Sequence, residues 1–205
     1  MLLSLSLLLI TLAVILHTGV IVSKVLKICG KGGTVTFFIG YMSLQTTAAI
    51  CSLVLPLNNT FRVSLVMVLA LFSLIHKEAH QSFYRSLRHR FKLKQSRLLI
   101  AILVVLGFAL AAEITLYDAG LYHIQNIKWI QDYALVPGLG NIHGRFAFNS
   151  HFFLTSALFA FEWTKNGESI LIYPLNAVVF FVTMQHLLSL AFQYLKTKHY
   201  GRGLY

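Results

Sequence analysis

Proline is almost missing from this chain, with three in 205 residues, and acids are scarce, with six against 17 lysines and arginines. So little proline leaves the long Leu, Val, Ile and Phe runs free to be helical, because nothing in them removes a backbone donor. The two cysteines, Cys29 and Cys51, lack the spacing of a metal site or a disulfide framework and read as small buried residues. Short alternating strands, which a membrane barrel requires, are not evident. The first two dozen residues have neither the basic start nor the small-residue cleavage site of a secretory signal, so they read as a retained span. HExxH, P-loop and nucleophile-elbow motifs are all absent, which removes the common metalloprotease, nucleotide-phosphate and hydrolase signatures.

What is present is apolar and patterned. With 57% hydrophobic and 11% charged residues, and a mean hydropathy of +0.73, the composition is that of an integral membrane protein. The expected fold is all-α, a polytopic transmembrane bundle of five to six spans in one domain over residues 1–205. The spans fall at about 1–23, 34–57, 60–76, 98–116 and 169–195, each near the ~20 residues a hydrocarbon core requires. The net charge of +11 would suit nucleic acid, but the cations flank the spans, where topology explains them, so no nucleic-acid partner is expected. Residues 77–97 carry seven Lys or Arg against the single acid Glu78 and form a cytoplasmic loop. Asn58, Asn59 and Thr60 spell a glycosylation acceptor, yet a tight turn wants Asn and Thr for its own sake. Residues 149–163, only ~15 long, suit an interfacial helix better than a span. Five spans then leave Lys196, Lys198 and Arg202 on the cytoplasmic side, as the charge rule prefers.

The external loop, residues 117–168, holds the chemistry. Its 120–133 segment alternates apolar and polar positions as an amphipathic juxtamembrane helix does, and 136–140 break it. Asp118, Tyr122, Gln125 and Trp129 share one helical face if the helix begins early enough. Asp118 is the candidate base or metal-holding acid, with Glu113 and Asp132 behind it, and His123, His143 and His151 are candidate proton handlers. Lys128 and Arg145 suit phosphate oxygens, while Trp129, Tyr122 and Tyr133 suit sugar or lipid. Each also has a plainer use, since Trp and Tyr gather at bilayer interfaces and VPGLG makes a turn.

The run YDAGLYHIQNIKWIQDYALVPGLGNIHGRFAFNS resembles the signature segment of a family of uncharacterised bacterial multi-spanning membrane proteins associated with cell-surface polysaccharide synthesis. The matches are Tyr117, Asp118, Tyr122, His123, Gln125, Lys128, Trp129, residues 136–141, His143, Arg145 and residues 148–150, and the likeness extends to the opening spans and basic loop. More distantly, the arrangement is similar to the GT-C class of membrane glycosyltransferases. That resemblance implies a multi-pass protein of the bacterial inner membrane that uses a polyprenyl-phosphate-linked sugar at its external face. Asp118 and His123 would be catalytic; Tyr122, Lys128, Trp129, His143, Arg145 and Asn149 would bind substrate. It implies no fixed cofactor, with a divalent metal at Asp118 as an alternative, and membrane lipid, a lipid-linked glycan and other polysaccharide-assembly proteins as partners. Members of these groups continue through further spans, so the chain corresponds to their N-terminal portion. The competing expectations are a non-enzymatic scaffold or glycan-binding subunit and, third, a transporter, which would carry acids or broken helices near the bilayer midplane.

Overall fold

A computed structural model of the protein describes residues 2–28, 32–75, 78, 81, 85, 96–112, 119–147, 150–165 and 168–201. Among these, the long helices are α1 (Leu2–Val25), α2 (Gly33–Ser52), α3 (Asn59–Ile75), α4 (Ser96–Ala111) and α7 (Leu175–Gly201). The short ones are α5 (Ile124–Asp132) and α6 (His151–Leu158). Three stretches are long and apolar enough to cross a membrane, namely Leu2–Val25, Gly33–Ser52 and Leu175–Tyr194, while α3 and α4 are shorter apolar helices. The first of these, α1, is apolar on every side and uses several of its faces, packing against α2, α3, α4 and α7. Leu8, Leu12, Ile15 and Leu16 of α1 are buried there with Phe37, Leu44 and Ala48 of α2.

Two glycines set the closest approach. A Cβ on Gly19 would stand 1.9 Å from the Thr36 carbonyl oxygen, and one on Gly40 would stand 1.9 Å from that of Ile15. Such backbone-to-backbone contact is how helices associate when lipid removes the hydrophobic drive between them. The pairing also shows that α1 and α2 run antiparallel. At the far end of α1, Ile28 N–H donates to Ser23 O at 2.8 Å and Lys27, at φ 54°, donates to Lys24 O at 3.1 Å, closing the helix. There Lys24 pairs with Glu78 at 2.7 Å, and His17 meets the Ser73 hydroxyl, so α3 runs beside α1 in the same direction.

By contrast, α3 has no buried residue, and Val66, Met67, Val68, Leu71 and Leu74 are all exposed. On α4, Leu98, Ile100, Val105 and Phe108 are exposed as well. Apolar surface on this scale is unusual for a protein surrounded by water and ordinary for one surrounded by lipid.

The all-α expectation needs one correction. Residues 161–172 contain an antiparallel hairpin, β1 (Phe161–Lys165) with β2 (Glu168–Ile172), in register from Phe161↔Ile172 to Lys165↔Glu168. Consequently the helix expected over 149–163 is confined to His151–Leu158, and the span expected from 169 begins at Leu175. Hydropathy alone cannot separate a short apolar strand from the start of a helix, and ESILI merges with the apolar run that follows. The register closes at Lys165↔Glu168, and Asn166 and Gly167 lie outside the described residues. The other boundaries move little, except that α2 ends at Ser52 rather than 57, in the turn that contains Pro56. Most of the basic loop over 77–97, and residues 113–116 of the expected fourth span, lie outside the described residues.

Candidate functional site

The α2–α3 turn, α5, α6 and the hairpin come together at one end of the bundle. In the turn, the Asn58 carboxamide oxygen accepts from Phe61 N–H at 3.0 Å, so Asn58 caps α3, as the plain reading of its sequon requires. Backbone bonds tie the polar segment to this turn: Leu57 N–H donates to Ile130 O at 2.9 Å and Leu135 N–H to Ser52 O at 2.8 Å. The Ile130 bond matters because the last carbonyls of a helix have no partner within it. The same need arises at the end of α6, where Gln131 Nε2 donates to Ala157 O at 2.9 Å and to Ala160 O at 3.0 Å. Arg62 donates to Ala160 O and to the Asn59 side chain, with its guanidinium 5.2 Å from the centre of the Phe161 ring.

Within this frame α5 follows a π-helical turn at Ala119–His123, a distortion often found beside functional sites. The Tyr122 ring lies under the Arg145 guanidinium, 4.6 Å from centre to carbon, and edge-on to His123 at 4.3 Å. A few residues on, Gly138 adopts φ 81°, the left-handed conformation that a Pro-Gly turn demands, and Asn141 N–H bonds back to Gly138 O at 2.9 Å. Below the 136–140 loop is a cavity of about 360 Å³, within the size range of small-molecule sites. Its walls include Asn126, Trp129, Tyr133, Phe146, Phe153 and Ser150. The Trp129 and Tyr133 rings lie 5.0 Å apart, tilted by 36°, as their i, i+4 spacing allows.

The expected site residues divide into three groups. Tyr122, His123, His143 and Arg145 are linked by ring, cation and hydrogen-bond contacts beside the segment that bears Trp129. Trp129 lines the cavity, while His123 and His143 stand behind its phenylalanine walls, each 5.4 Å from Phe153 and Phe146 respectively. His143 Nδ1 also accepts from Arg145 N–H at 3.2 Å, fixing the turn that carries the guanidinium. Lys128 faces elsewhere and pairs with Glu162 on β1 at 3.0 Å, so its charge is already matched. Asp118 and Asn149 lie outside the described residues, as do Glu113, Tyr117 and Phe148. Among the described residues no three His, Cys, Asp or Glu side chains come together so as to hold a metal ion.

Four contributors were not foreseen: Arg62, Asn126, Gln131 and Glu162. Arg62 carried a signal, since a cation at the end of the bundle opposite the basic loop runs against the charge rule and calls for a partner. Asn126 and Gln131 carried a fainter one, two amides on what proves to be the buried face of α5, with Ile127 between them.

A mostly helical chain with three helices suited to crossing a membrane, bearing a polar cap and a cavity at one end, is the class that fold and site define. Residues 1–202 match the family described as Domain of unknown function (DUF8201), and the chain belongs to that family. No curated protein matches the chain, and neither does any solved structure.

Proposed function

We propose that this protein is a glycosyltransferase-like component of cell-surface polysaccharide assembly in a bacterial inner membrane, engaging a polyprenyl-phosphate-linked sugar at the end that carries α5 and α6. The observation that supports this reading is the Arg145 guanidinium over Tyr122, with His123 and His143 packed on Phe153 and Phe146, two residues of the cavity wall, at one end of an apolar bundle. A lipid-linked sugar needs those parts together: lipid contact for the chain, a cation for the phosphate and a cavity for the remainder. In this scheme Arg145 binds phosphate, Asp118 accepts the acceptor hydroxyl's proton, and His123 assists proton movement. The test is sugar transfer by the purified protein in nanodiscs from a polyprenyl-phosphate-sugar donor. Retention of the donor without transfer would favour a binding subunit, a second reading supported by the Lys128–Glu162 pair, which leaves that lysine matched.

The reading carries a topology: α1, α2, α3, α4 and α7 are five spans, with the α5 and α6 end external. Cytoplasmic placement of the basic loop and of Lys198 follows from the charge rule. A cysteine placed at 198 in a Cys29 and Cys51 double-serine background is expected to react with a membrane-impermeant maleimide only in inverted vesicles. Reaction in intact spheroplasts would refute five spans.

A further inference from the structure

Asn126 is the most informative polar group in the cavity. It is only 6% exposed and lines the cavity wall, and among the described residues no hydrogen bond joins its side-chain amide to another group. Its neighbour on the same buried face, Gln131, is the opposite case, with its amide nitrogen shared between two carbonyls. An amide on the wall of a cavity, with its hydrogen-bonding capacity unspent on the protein, is available to a polar occupant. The other polar groups on the wall are few: Ser52, whose hydroxyl donates to Ala49 O at 3.0 Å and so offers its lone pairs, Ser150, and the polar edges of Trp129 and Tyr133. None of the described residues lining the cavity is charged.

We infer that the cavity is a subsite for a neutral glycosyl ring, with Asn126 hydrogen-bonding its hydroxyls and Trp129 stacking on its apolar face. Three ligand chemistries compete, and the lining decides among them. An isoprenoid or acyl chain would leave both ends of the Asn126 amide unpaired. A phosphate would lose its water and meet no cation among the described residues of the wall. A sugar ring presents hydroxyls at its edge and C–H groups on its face, which matches an amide beside an aromatic wall. The assignment of the ring to a glycan rests on the proposed function above; the recognition of a neutral hydroxylated ring rests on the cavity alone. It also divides the labour of the site, with the sugar in the cavity and the phosphate outside it at Arg145.

The test uses the full chain in nanodiscs free of glycoside detergents, in a Trp163→Phe background that leaves Trp129 as the single tryptophan. Methyl glucoside and methyl N-acetylglucosaminide are the probes, with inorganic phosphate and farnesol as comparison ligands. At least one glycoside is expected to change Trp129 emission saturably, and Asn126→Leu to weaken it by about tenfold or more, the scale of a lost buried hydrogen bond. Because Asn126→Leu removes the amide and keeps the volume, its thermal unfolding should match the parent. Asn126→Asp, which keeps the shape and loses both donors, supplies the same readout if the leucine variant does not fold. Unchanged affinity in the folded variant, a response to farnesol in place of both glycosides, or no response to either glycoside overturns the inference. Glycoside binding without sugar transfer would leave the subsite standing and remove the enzymatic reading; transfer with no Asn126 dependence would do the reverse.

Discussion

Replacing Gly40 by leucine is expected to prevent the protein from accumulating as a folded, monodisperse species. The cause is local and severe, because even a Cβ at this position lies 1.9 Å from the Ile15 carbonyl oxygen and 2.7 Å from the Gly19 nitrogen. Both obstacles are backbone, so no rotamer change relieves them, and α1 must move away from α2. Ordinary overpacking costs about 1–3 kcal/mol by forcing side chains to shift, and parting the two helices costs more than about 3 kcal/mol. It also uncovers Leu8, Ile15, Phe37 and Leu44, and it displaces the helix on which α3, α4 and α7 pack. Gly19→Leu should behave alike, since its Cβ would strike the Thr36 carbonyl at the same distance. Gly144→Ala is the control: nothing lies within 4 Å of its added carbon, and folded yield should equal the parent's. Size-exclusion profiles and thermal unfolding in detergent report both outcomes, and a monodisperse Gly40→Leu protein with parental stability would show that the α1–α2 contact is not as close as described.

The second large effect concerns chemistry. Asp118→Asn should abolish sugar transfer, a loss of at least about a hundredfold given what a general base contributes, while leaving protein level and donor binding unchanged. The substitution keeps size and most hydrogen bonding and removes only the ability to take a proton or a full negative charge. Arg145→Met should instead weaken binding of the lipid-phosphate donor, because it deletes the guanidinium over Tyr122. A split of this kind, with transfer lost in one variant and affinity in the other, distinguishes a catalytic site from a binding surface. Parental transfer by Asp118→Asn would remove the catalytic assignment and leave the binding reading in place.

Much of the fold was legible because hydropathy over 20 residues is a strong signal. The first three helices begin within a residue or two of their expected starts. What hydropathy could not resolve was the passage from α6 to α7. There Phe161, Trp163, Ile170 and Ile172 belong to strands, which apolarity alone did not separate from helix. In the site, the 120–133 helix and the VPGLG turn were readable from period and turn chemistry. Their partners were not, because Arg62 meets Ala160 across 98 positions and Gln131 meets the same carbonyl across 29, and a single sequence contains no trace of such pairings. For the same reason Lys128 reads as a phosphate ligand in sequence and stands in the fold as the partner of Glu162.

The central claim is that a lipid-linked sugar engages the end of the bundle formed by α5, the 136–140 loop and α6. Photolysis of a diazirine-bearing polyprenyl-phosphate sugar with the purified chain in nanodiscs, followed by peptide mapping, tests it most directly. The account predicts label between residues 122 and 154, reduced by Arg145→Met and by excess unlabelled donor. Label confined to the exposed apolar surfaces of α3 and α4, insensitive to both, would contradict it.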